Sequence, residues 1–376
     1  MIQQFRVVPT IFLADSCKEF CETFQIGQKD LILTNPTYFE GYLDEYVNGA
    51  KVLYLKKYGK GEPTDLMVEA IYQDIKGLAF DRVIAVGGGS IIDIAKILVQ
   101  ETVTPVCDLF EKTIPVKKIK KLVIVPTTCG TGSEVTNISV INRVSKGVKM
   151  GLASDAMFAD KAVMITNMLD SLPYKIFDTS SIDAMVHSVE SFLSPNGCSI
   201  SRIFSTEALT TIIKCWKKSV EAGGTEAWKE YAADFLKASN WAGLGFGYAG
   251  CAAVHATAYP LGSVYHIPHG QSNQLMFRVV MEKYKEIKPV GHINDLENVI
   301  ADALEIPAGS NTDALKKLYE LMDRVLKAEP LHKFGVKESD LSVFANSVIN
   351  TQQRLMRNNY VELTEEQVLD IYKAAF

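Results

Sequence analysis

Within residues 1–171, short continuous apolar runs alternate with stretches whose apolar residues recur at helical spacing. Such runs are typical of strands that are buried on both faces of a parallel sheet, with helices between them. The pattern predicts strands at 30–34, 51–55, 82–86 and 122–126 and helices at 65–75 and 91–100. We therefore expect an α/β domain in this part of the chain.

Two further stretches, 136–142 and 148–153, alternate apolar and polar residues around a charged turn that contains glycine, and they predict an antiparallel hairpin. The pattern changes near residue 172, after which β-rich runs almost disappear. Helix-like stretches then lie at 180–193, 205–222, 227–244, 312–326 and 338–356. We expect an α/β domain at 1–171 and an all-helical domain at 172–376.

The composition is that of a folded globular protein, since 47% of the 376 residues are hydrophobic and 22% are charged. The net charge of −5 and the lack of a basic stripe argue against nucleic acid and anionic membrane surfaces as partners. No apolar run approaches the ~20 residues of a membrane span, and residues 1–6 do not resemble a signal peptide. The seven cysteines are scattered, so we expect reduced thiols and a cytoplasmic location.

Two glycine-bearing loops each follow a predicted strand directly. The run 87–90 (Gly-Gly-Gly-Ser) opens a helix, whose free N–H groups and positive end favour a phosphate. The run 126–134 contains several threonine hydroxyls. Because ligands bind at the carboxyl ends of parallel strands, the two loops predict a ligand site. The G-x-G-x-x-G fingerprint is absent, so the loops alone do not distinguish a dinucleotide from another phosphate ester.

Four ionisable residues of the second half have the spacing of metal ligands. Asp183 and His187 lie four residues apart in a helical context, which puts them on one face. His255 and His269 follow, fourteen residues apart. Each could be an ordinary core residue, but a carboxylate with several imidazoles suits Fe²⁺ or Zn²⁺. Glu190 could orient a metal ligand or simply pair within its helix, and we favour the helix pair.

On these four segments the sequence resembles the iron-dependent (group III) alcohol dehydrogenase family over essentially its whole length. The runs 87–96 and 126–136 are similar to the family's phosphate loop and nicotinamide-side loop, and the two ligand pairs match its metal signatures. The resemblance implies the two-domain architecture shared with dehydroquinate synthase, with NAD held in the cleft between the domains. It also implies a divalent metal, Fe²⁺ or Zn²⁺, that polarises the oxygen of a small alcohol or aldehyde during hydride transfer. We expect a homodimer.

The resemblance assigns roles to individual residues. The metal ligands that it implies are Asp183, His187, His255 and His269. The cofactor-binding residues that it implies are Asn35, Gly87, Gly88, Gly89, Ser90, Asp93, Thr127, Thr128, Thr131 and Lys149.

Two positions depart from the family pattern. Many members carry a further histidine four residues after the third metal ligand, as part of a proton path, and here that position is Tyr259. The path must then run through Tyr259, His266 or water. Many NAD-preferring members carry an acidic residue after the strand at 30–34, and here that position is Asn35. The preference for NAD over NADP therefore rests on the family alone.

Within the family the chain is most similar to the 4-hydroxybutyrate dehydrogenases. The runs that carry this similarity lie at 126–137, 172–175, 352–355 and 358–360. The similarity implies 4-hydroxybutyrate and succinate semialdehyde as substrates, whose carboxylate needs a cation, and arginine binds carboxylates through two hydrogen bonds. The candidates for this role are Arg354 and Arg357, with Arg278 and Arg143 also open.

Three alternatives stay open from the sequence. The first is a family member that acts on a plain alcohol or diol. The second is a lyase of the dehydroquinate synthase type, which would need basic residues near the metal, whereas Ala184, Met185 and Ala256 are small or apolar. The third is a sensor that binds metal or nucleotide without catalysis, against which the intact ligand positions and both loops argue.

Overall fold

The computed structural model describes residues 5–308 and 312–376, so residues 1–4 of the N-terminal segment considered above lie outside the described residues. The chain divides into two compact units. The α/β unit is Val7–Pro173, and the helical unit is Tyr174–Phe376 together with Phe5 and Arg6.

The α/β unit contains eight strands. They are β1 Thr10–Ala14, β2 Asp30–Thr34, β3 Lys51–Tyr54, β4 Arg82–Gly87, β5 Lys121–Pro126, β6 Ile138–Arg143, β7 Val148–Ala153 and β8 Lys161–Ile165. Six of them form a parallel sheet in the order β1-β8-β5-β4-β2-β3. The other two, β6 and β7, form a separate antiparallel hairpin. The predicted parallel sheet is confirmed. The strands β6 and β7 form the hairpin that was predicted at 136–142 and 148–153.

Helices cover both faces of the parallel sheet. They are α1 Cys17–Thr23, α2 Pro36–Phe39, α3 Asp65–Ile75, α4 Gly89–Leu98 and α5 Val106–Glu111. In β4, Val83 and Ala85 join one hydrophobic cluster with α3 and α4, whereas Ile84 and Val86 join a second cluster with α1. Because both faces are buried, these strands are apolar throughout rather than alternating.

Two strands of the sheet were not predicted. The strand β1 lies at the edge of the sheet, where Leu13 is 59% exposed, so its apolar pattern is weak. The strand β8 is a short buried run of a kind that periodicity cannot separate from a helix segment. The helix predicted at 91–100 begins at Gly89 instead, because Gly88 caps it directly after β4.

The helical unit contains ten α-helices in the part of the chain that the structure describes, and no strand. They are α6 Tyr174–Leu193, α7 Ser199–Ala222, α8 Ala232–Ala249, α9 Ala253–Tyr265, α10 His269–Ile287, α11 His292–Ala303, α12 Ala314–Val325, α13 Glu338–Thr351, α14 Gln353–Met356 and α15 Glu365–Ala375. None of the described helices is both long and apolar enough to cross a membrane.

The helix α6 packs against α7, α8 and α10, and most of its residues are buried. Every residue from 181 to 193 is buried, including Asp183, His187 and Glu190. Ionisable side chains in such surroundings are costly unless they are paired or bind a metal. This segment of α6 therefore marks the candidate site of the helical unit.

Candidate metal centre and nucleotide loops

The two glycine-bearing loops of the α/β unit lie side by side, because β4 and β5 are paired in register to their carboxyl ends. A Cβ atom added to Gly88 would lie 3.2 Å from Cγ2 of Thr128, and one added to Gly89 would lie 2.8 Å from Cγ2 of Thr131. Only glycine lets the two loops pack this closely. The structure thus brings together four of the residues that the sequence assigned to the cofactor.

The same loops form a cradle that fits a phosphate or a ribose. The N-terminus of α4 has no side-chain cap and no acidic residue in its first turn, so its N–H groups favour an anion. Thr127 is fully buried, and its Oγ1 has no hydrogen-bond partner among residues 5–308 and 312–376. An unsatisfied buried hydroxyl points to a missing partner. Ser90, by contrast, donates to the carbonyl oxygen of Gly61 at 3.1 Å.

A buried network next to these loops ties α4 to the hairpin. Asp93 accepts hydrogen bonds from the Ser133 hydroxyl at 2.8 Å and from the Val140 N–H at 3.0 Å. Lys96 donates to Ser133 Oγ at 2.8 Å and to the Ile138 carbonyl oxygen at 2.7 Å. Burial raises the pKa of Asp93 and lowers that of Lys96 to about 8, although each charge favours the other. No pattern in the sequence indicated a role for Lys96. A contact between Asp93 and the cofactor stays a prediction.

The last two predicted cofactor residues make contacts within the protein. Asn35 follows β2 and accepts a hydrogen bond from the Lys56 N–H through Oδ1 at 3.0 Å. Lys149 lies on β7 and forms an ion pair with Glu62. Neither contact distinguishes NAD from NADP, so the cofactor roles of both residues stay predictions.

The four predicted metal ligands come together in the helical unit. Asp183 and His187 lie one turn apart on α6, His255 lies on α9, and His269 is the first residue of α10. Oδ1 of Asp183 lies 3.4 Å from Nε2 of His255 and 3.5 Å from Nε2 of His269. The same oxygen lies 3.7 Å from Nε2 of His187. One carboxylate with three imidazoles is a donor set that suits a divalent ion such as Fe²⁺ or Zn²⁺.

The electrostatics of the cluster call for a cation. Burial opposes ionisation of Asp183, but the imidazoles of His187, His269 and His255 outweigh it and hold the pKa of that carboxyl well below its usual range. Burial also opposes a charge on His255, yet Glu190 and Asp183 raise the pKa of its imidazole to about 9. Metal binding displaces protons from such ligands, so a divalent ion can take over the compensating charge.

Glu190 has a different role from the helix pair that the sequence favoured, and that prediction was wrong. Its Oε2 lies 2.6 Å from Nδ1 of His255 and accepts the Ala252 N–H at 2.9 Å, while its Oε1 accepts the Val254 N–H at 2.6 Å. The carboxylate therefore fixes the imidazole so that Nε2 faces Asp183. Carboxylates that orient metal-binding histidines in this way are common.

Asn273 is a member of the cluster that the sequence analysis missed. It lies one turn after His269 on α10, and its Nδ2 donates to Oδ1 of Asp183 at 2.8 Å. Its own Oδ1 is buried and has no partner within the described part of the chain. The spacing of four residues from a predicted ligand on the same helix was the signal that could have found it.

Close packing brings α10 onto α6 at the cluster. A Cβ atom on Gly270 would lie 1.8 Å from the carbonyl oxygen of Thr179, so only glycine fits directly after His269. The ring of Phe246 stacks on His187 with centroids 4.0 Å apart. His269 keeps 28% of its side-chain surface exposed, so the cluster is open on this side.

The structure separates the two residues that the sequence named for a proton path. Tyr259 is buried one turn after His255 on α9, with its ring centroid 6.0 Å from that of His269. His266 is exposed and ends α9 in a left-handed conformation with φ +55°. Tyr259 thus lies beside the cluster, whereas His266 lies on an exposed turn.

The candidate arginines also differ in their surroundings. Arg143 belongs to the α/β unit and is paired with Glu111. Arg278 is exposed and pairs with Glu282 at 2.8 Å. Arg357 is exposed at the end of α14. None of these three has a contact that joins it to the metal cluster among the described residues.

Arg354, at the start of α14, is half-buried. Burial raises the pKa of the Cys251 thiol well above its usual value, and the charge on Arg354 opposes that rise. The side-chain amide of Asn358 donates to the carbonyl oxygen of Cys251 at 2.8 Å and to that of Arg354 at 3.0 Å, so the two residues are neighbours. Cys251 in turn lies within 4.8 Å of donor nitrogens of His187 and His255. Arg354 is therefore the cationic candidate near the cluster.

Comparisons with known proteins cover the chain almost completely. A family model described as iron-containing alcohol dehydrogenase matches residues 9–166, and a model of the C-terminal part of the Fe-containing alcohol dehydrogenase family matches residues 177–376. A 4-hydroxybutyrate dehydrogenase of Clostridium kluyveri is 41% identical over 371 residues, which cover 99% of either chain. The long-chain-alcohol dehydrogenase 1 of Geobacillus thermodenitrificans is 34% identical over 308 residues, or 79% of this chain and 75% of its own.

Solved structures agree with the fold. An iron-containing alcohol dehydrogenase of Thermotoga maritima superposes with a TM-score of 0.80 at 25% identity, covering 100% of this chain and 99% of its own. A sulfoacetaldehyde reductase of Bifidobacterium kashiwanohense, solved with NAD⁺, has a TM-score of 0.82 at 21% identity, again covering 100% and 99%. The second likeness is one of fold alone.

Proposed function

The chain belongs to the iron-containing alcohol dehydrogenase family, and from that premise we propose that it interconverts 4-hydroxybutyrate and succinate semialdehyde with NAD(H). In the oxidative direction, 4-hydroxybutyrate and NAD⁺ give succinate semialdehyde, NADH and a proton. The observation that carries the metal chemistry is the convergence of three imidazole nitrogens on one oxygen of Asp183. The substrate rests on the full-length similarity to a relative of that name and on Arg354.

Asp183, His187, His255 and His269 would hold the metal, which we propose to be Fe²⁺. When bound, the ion supplies Lewis-acid polarisation of the substrate oxygen, while the nicotinamide accepts or returns the hydride. Glu190 keeps Nδ1 of His255 engaged, so that Nε2 stays directed at the metal position.

The residues around the cluster keep these ligands in place. Asn273 holds Oδ1 of Asp183 through a hydrogen bond of 2.8 Å, and Phe246 covers the ring of His187. Both contacts are buried, which reduces the competition of water for the ligand atoms. His269, which is partly exposed, marks the side from which substrate would approach.

The nucleotide would be held by the paired loops of the α/β unit. The glycines 87–89 let its phosphates approach the backbone at the start of α4, and Thr127 offers a hydroxyl that has no hydrogen-bond partner among the described residues. Roles for Asn35, Asp93 and Lys149 are proposed from the family alone. Whether the 2′-position is phosphorylated is part of the experiment below.

Tyr259 is the group that we propose for proton exchange with the substrate oxygen. It lies on the same helix as His255 and beside His269, in the position where many relatives carry a histidine. His266 is exposed, so its part in such a path would require water.

Arg354 would bind the carboxylate of the substrate. It is half-buried, and no carboxylate of the described chain pairs with it, so its charge is available to an acidic ligand. Asn358 joins the carbonyl oxygens of Arg354 and Cys251, and Cys251 lies beside His187 and His255. A linear four-carbon substrate that carries an oxygen at each end matches a site with a metal and a cation.

The test is a substrate panel with the full-length protein, loaded with Fe²⁺ without oxygen. NADH oxidation is measured with succinate semialdehyde and with butanal, which has the same carbon chain without the carboxylate, and the series is repeated with NADPH. Because a charge-assisted hydrogen bond contributes about 1.5–3 kcal/mol, kcat/KM should favour succinate semialdehyde by about 10- to 100-fold. Equal or faster reduction of butanal, or faster NAD⁺-dependent oxidation of a diol than of 4-hydroxybutyrate, would refute the substrate and leave the family unchanged.

A further inference from the structure

One group beside the metal cluster has no role in the function proposed above, and this group is the thiol of Cys251. Two overlapping sets of donor atoms exist in the described chain, with all atoms of a set within 4.8 Å of one another. The first joins Asp183, His255 and His269, and the second joins His187, Cys251 and His255. The second set replaces the carboxylate with a sulfur, and zinc is bound by thiolate sulfur as well as by imidazole nitrogen.

The backbone around Cys251 is fixed from both sides. The residue lies in the short connection between α8 and α9, and the side chain of Asn358 donates to its carbonyl oxygen at 2.8 Å. The following N–H, that of Ala252, donates to Glu190 at 2.9 Å. Gly250 precedes it with φ +83°, and a Cβ there would lie 2.3 Å from Nδ2 of Asn358. The thiol is therefore positioned by the same carboxylate that orients the histidine shared by both sets.

The Cys251 thiol has no hydrogen bond among the described residues that would compete with a metal. Cys251 is only 7% exposed and forms no disulfide, and its Sγ makes no hydrogen bond with any residue in 5–308 or 312–376. A buried donor atom next to two imidazoles can bind a metal without first breaking a protein contact.

We propose that the helical unit offers two overlapping metal positions. Fe²⁺ binds at Asp183 and the three imidazoles, whereas Zn²⁺ binds closer to Cys251, on the sulfur together with His187 and His255. On zinc binding a sulfur–metal bond forms and the thiol proton passes to solvent, so a thiolate takes the place of the carboxylate among the ligands of the metal. Zinc bound in this way lies farther from His269, the partly exposed ligand. We therefore expect less turnover with zinc than with iron.

This proposal rests on the metal site of the proposed function. X-ray absorption spectroscopy tests the two metal positions separately from the existence of the metal site. The full-length wild-type protein is loaded with Zn²⁺ in one sample and with Fe²⁺ in another. We expect one sulfur at about 2.3 Å from zinc and only nitrogen or oxygen around iron. A zinc spectrum with nitrogen and oxygen alone, or a sulfur shell around both ions, would overturn the two positions. Failure to bind any divalent ion would instead overturn the metal site itself.

Cobalt gives a second readout, because a thiolate bound to Co²⁺ produces an intense charge-transfer band in the near ultraviolet. The wild type should show this band, Cys251→Ser should lose it, and Cys215→Ser should keep it. Cys215 is a matched control, since it is equally buried (6% exposed) on α7 but belongs to neither donor set. Zinc affinity should fall at least about tenfold in Cys251→Ser. A band that survives in Cys251→Ser contradicts the proposal.

Discussion

At the scale of single residues, the site is organised around one buried carboxylate. Asp183 is surrounded by three imidazoles and one amide, all within 3.7 Å of its Oδ1. A charge of this kind would be costly in the interior without partners. Its partners are themselves held, His255 by Glu190 and His187 by the ring of Phe246. Contacts within the protein therefore hold the ligands of the cluster in place.

Arg354 allows a direct test of the proposed carboxylate anchor. Replacing it with alanine removes the cation proposed for the substrate carboxylate, so KM for succinate semialdehyde should rise by about 10- to 100-fold. The KM for butanal should not change, because that aldehyde has no carboxylate. Steady-state kinetics of NADH oxidation with both aldehydes measures the difference.

The matched control is Arg357→Ala, which removes an exposed arginine three residues further along the chain. This variant should leave both KM values within about twofold of the wild type, because exposed charges contribute little. An unchanged KM for succinate semialdehyde in Arg354→Ala excludes Arg354 as the carboxylate anchor. Equal rises for both aldehydes would indicate a general distortion of the site instead.

At the scale of elements, the metal cluster depends on how closely α10 approaches α6. His269 and Asn273 both lie on α10, while Asp183 and His187 lie on α6. Gly270 makes the approach possible, because its missing side chain leaves room for the carbonyl oxygen of Thr179. The α/β unit has a comparable link, in which Asp93 and Lys96 of α4 hold the segment that leads into the hairpin.

We expect Gly270→Ala to separate α10 from α6. The added Cβ would lie 1.8 Å from the oxygen and 2.6 Å from the carbon of the Thr179 carbonyl, and backbone atoms cannot yield as a flexible side chain can. Overpacking of this kind lowers the free energy of unfolding by about 1–3 kcal/mol, and metal affinity should fall with it. Chemical unfolding and isothermal titration with Zn²⁺ provide the two measurements.

Gly77→Ala is the control, since nothing lies within 4 Å of a Cβ at that position and its φ is not positive. Its free energy of unfolding should stay within about 0.5 kcal/mol of the wild type, as for most surface substitutions. If Gly270→Ala behaves in the same way and keeps its metal affinity, the close approach of the two helices is not a requirement of the site.

At the scale of the whole molecule, the two proposed ligands belong to different units. The nucleotide loops belong to Val7–Pro173, whereas the metal cluster belongs to Tyr174–Phe376. A ligand that binds only the folded form stabilises it by about 2.7 kcal/mol at a concentration of 100 Kd. Each ligand should therefore protect first the unit that binds it.

Hydrogen exchange resolved by peptide measures this protection. Addition of Zn²⁺ should slow exchange in α6 and α10 by up to about 100-fold, and NAD⁺ should slow exchange in α4 and the loop after β5. Mg²⁺ is the control ion, because it prefers oxygen ligands and should leave α6 unchanged. Protection of α4 by the metal alone, or equal protection of α6 by Mg²⁺, would contradict the assignment of ligands to units.

Much of the secondary structure of this protein could be predicted from local sequence patterns. The strands at 30–34, 82–86 and 122–126 follow from continuous apolar runs, because a strand covered on both faces has no polar side to alternate with. The pair Asp183 and His187 follows from helical spacing, which puts two donors on one face. The glycine loops follow from their position directly after strands. Residues within a few positions of each other suffice for all of these.

Which distant residues meet depends on the tertiary structure. Glu190 reaches the N–H of Ala252, 62 residues away, and Asn273 reaches Asp183 across 90 residues. The position of Cys251 beside His187 and His255, and that of Arg354 near Cys251, also depend on tertiary packing. These contacts depend on the packing of α6, α9, α10 and α14, which local spacing does not specify. The sequence alone could therefore name the candidate metal ligands, but their orientation and the neighbouring thiol depend on how the helices pack.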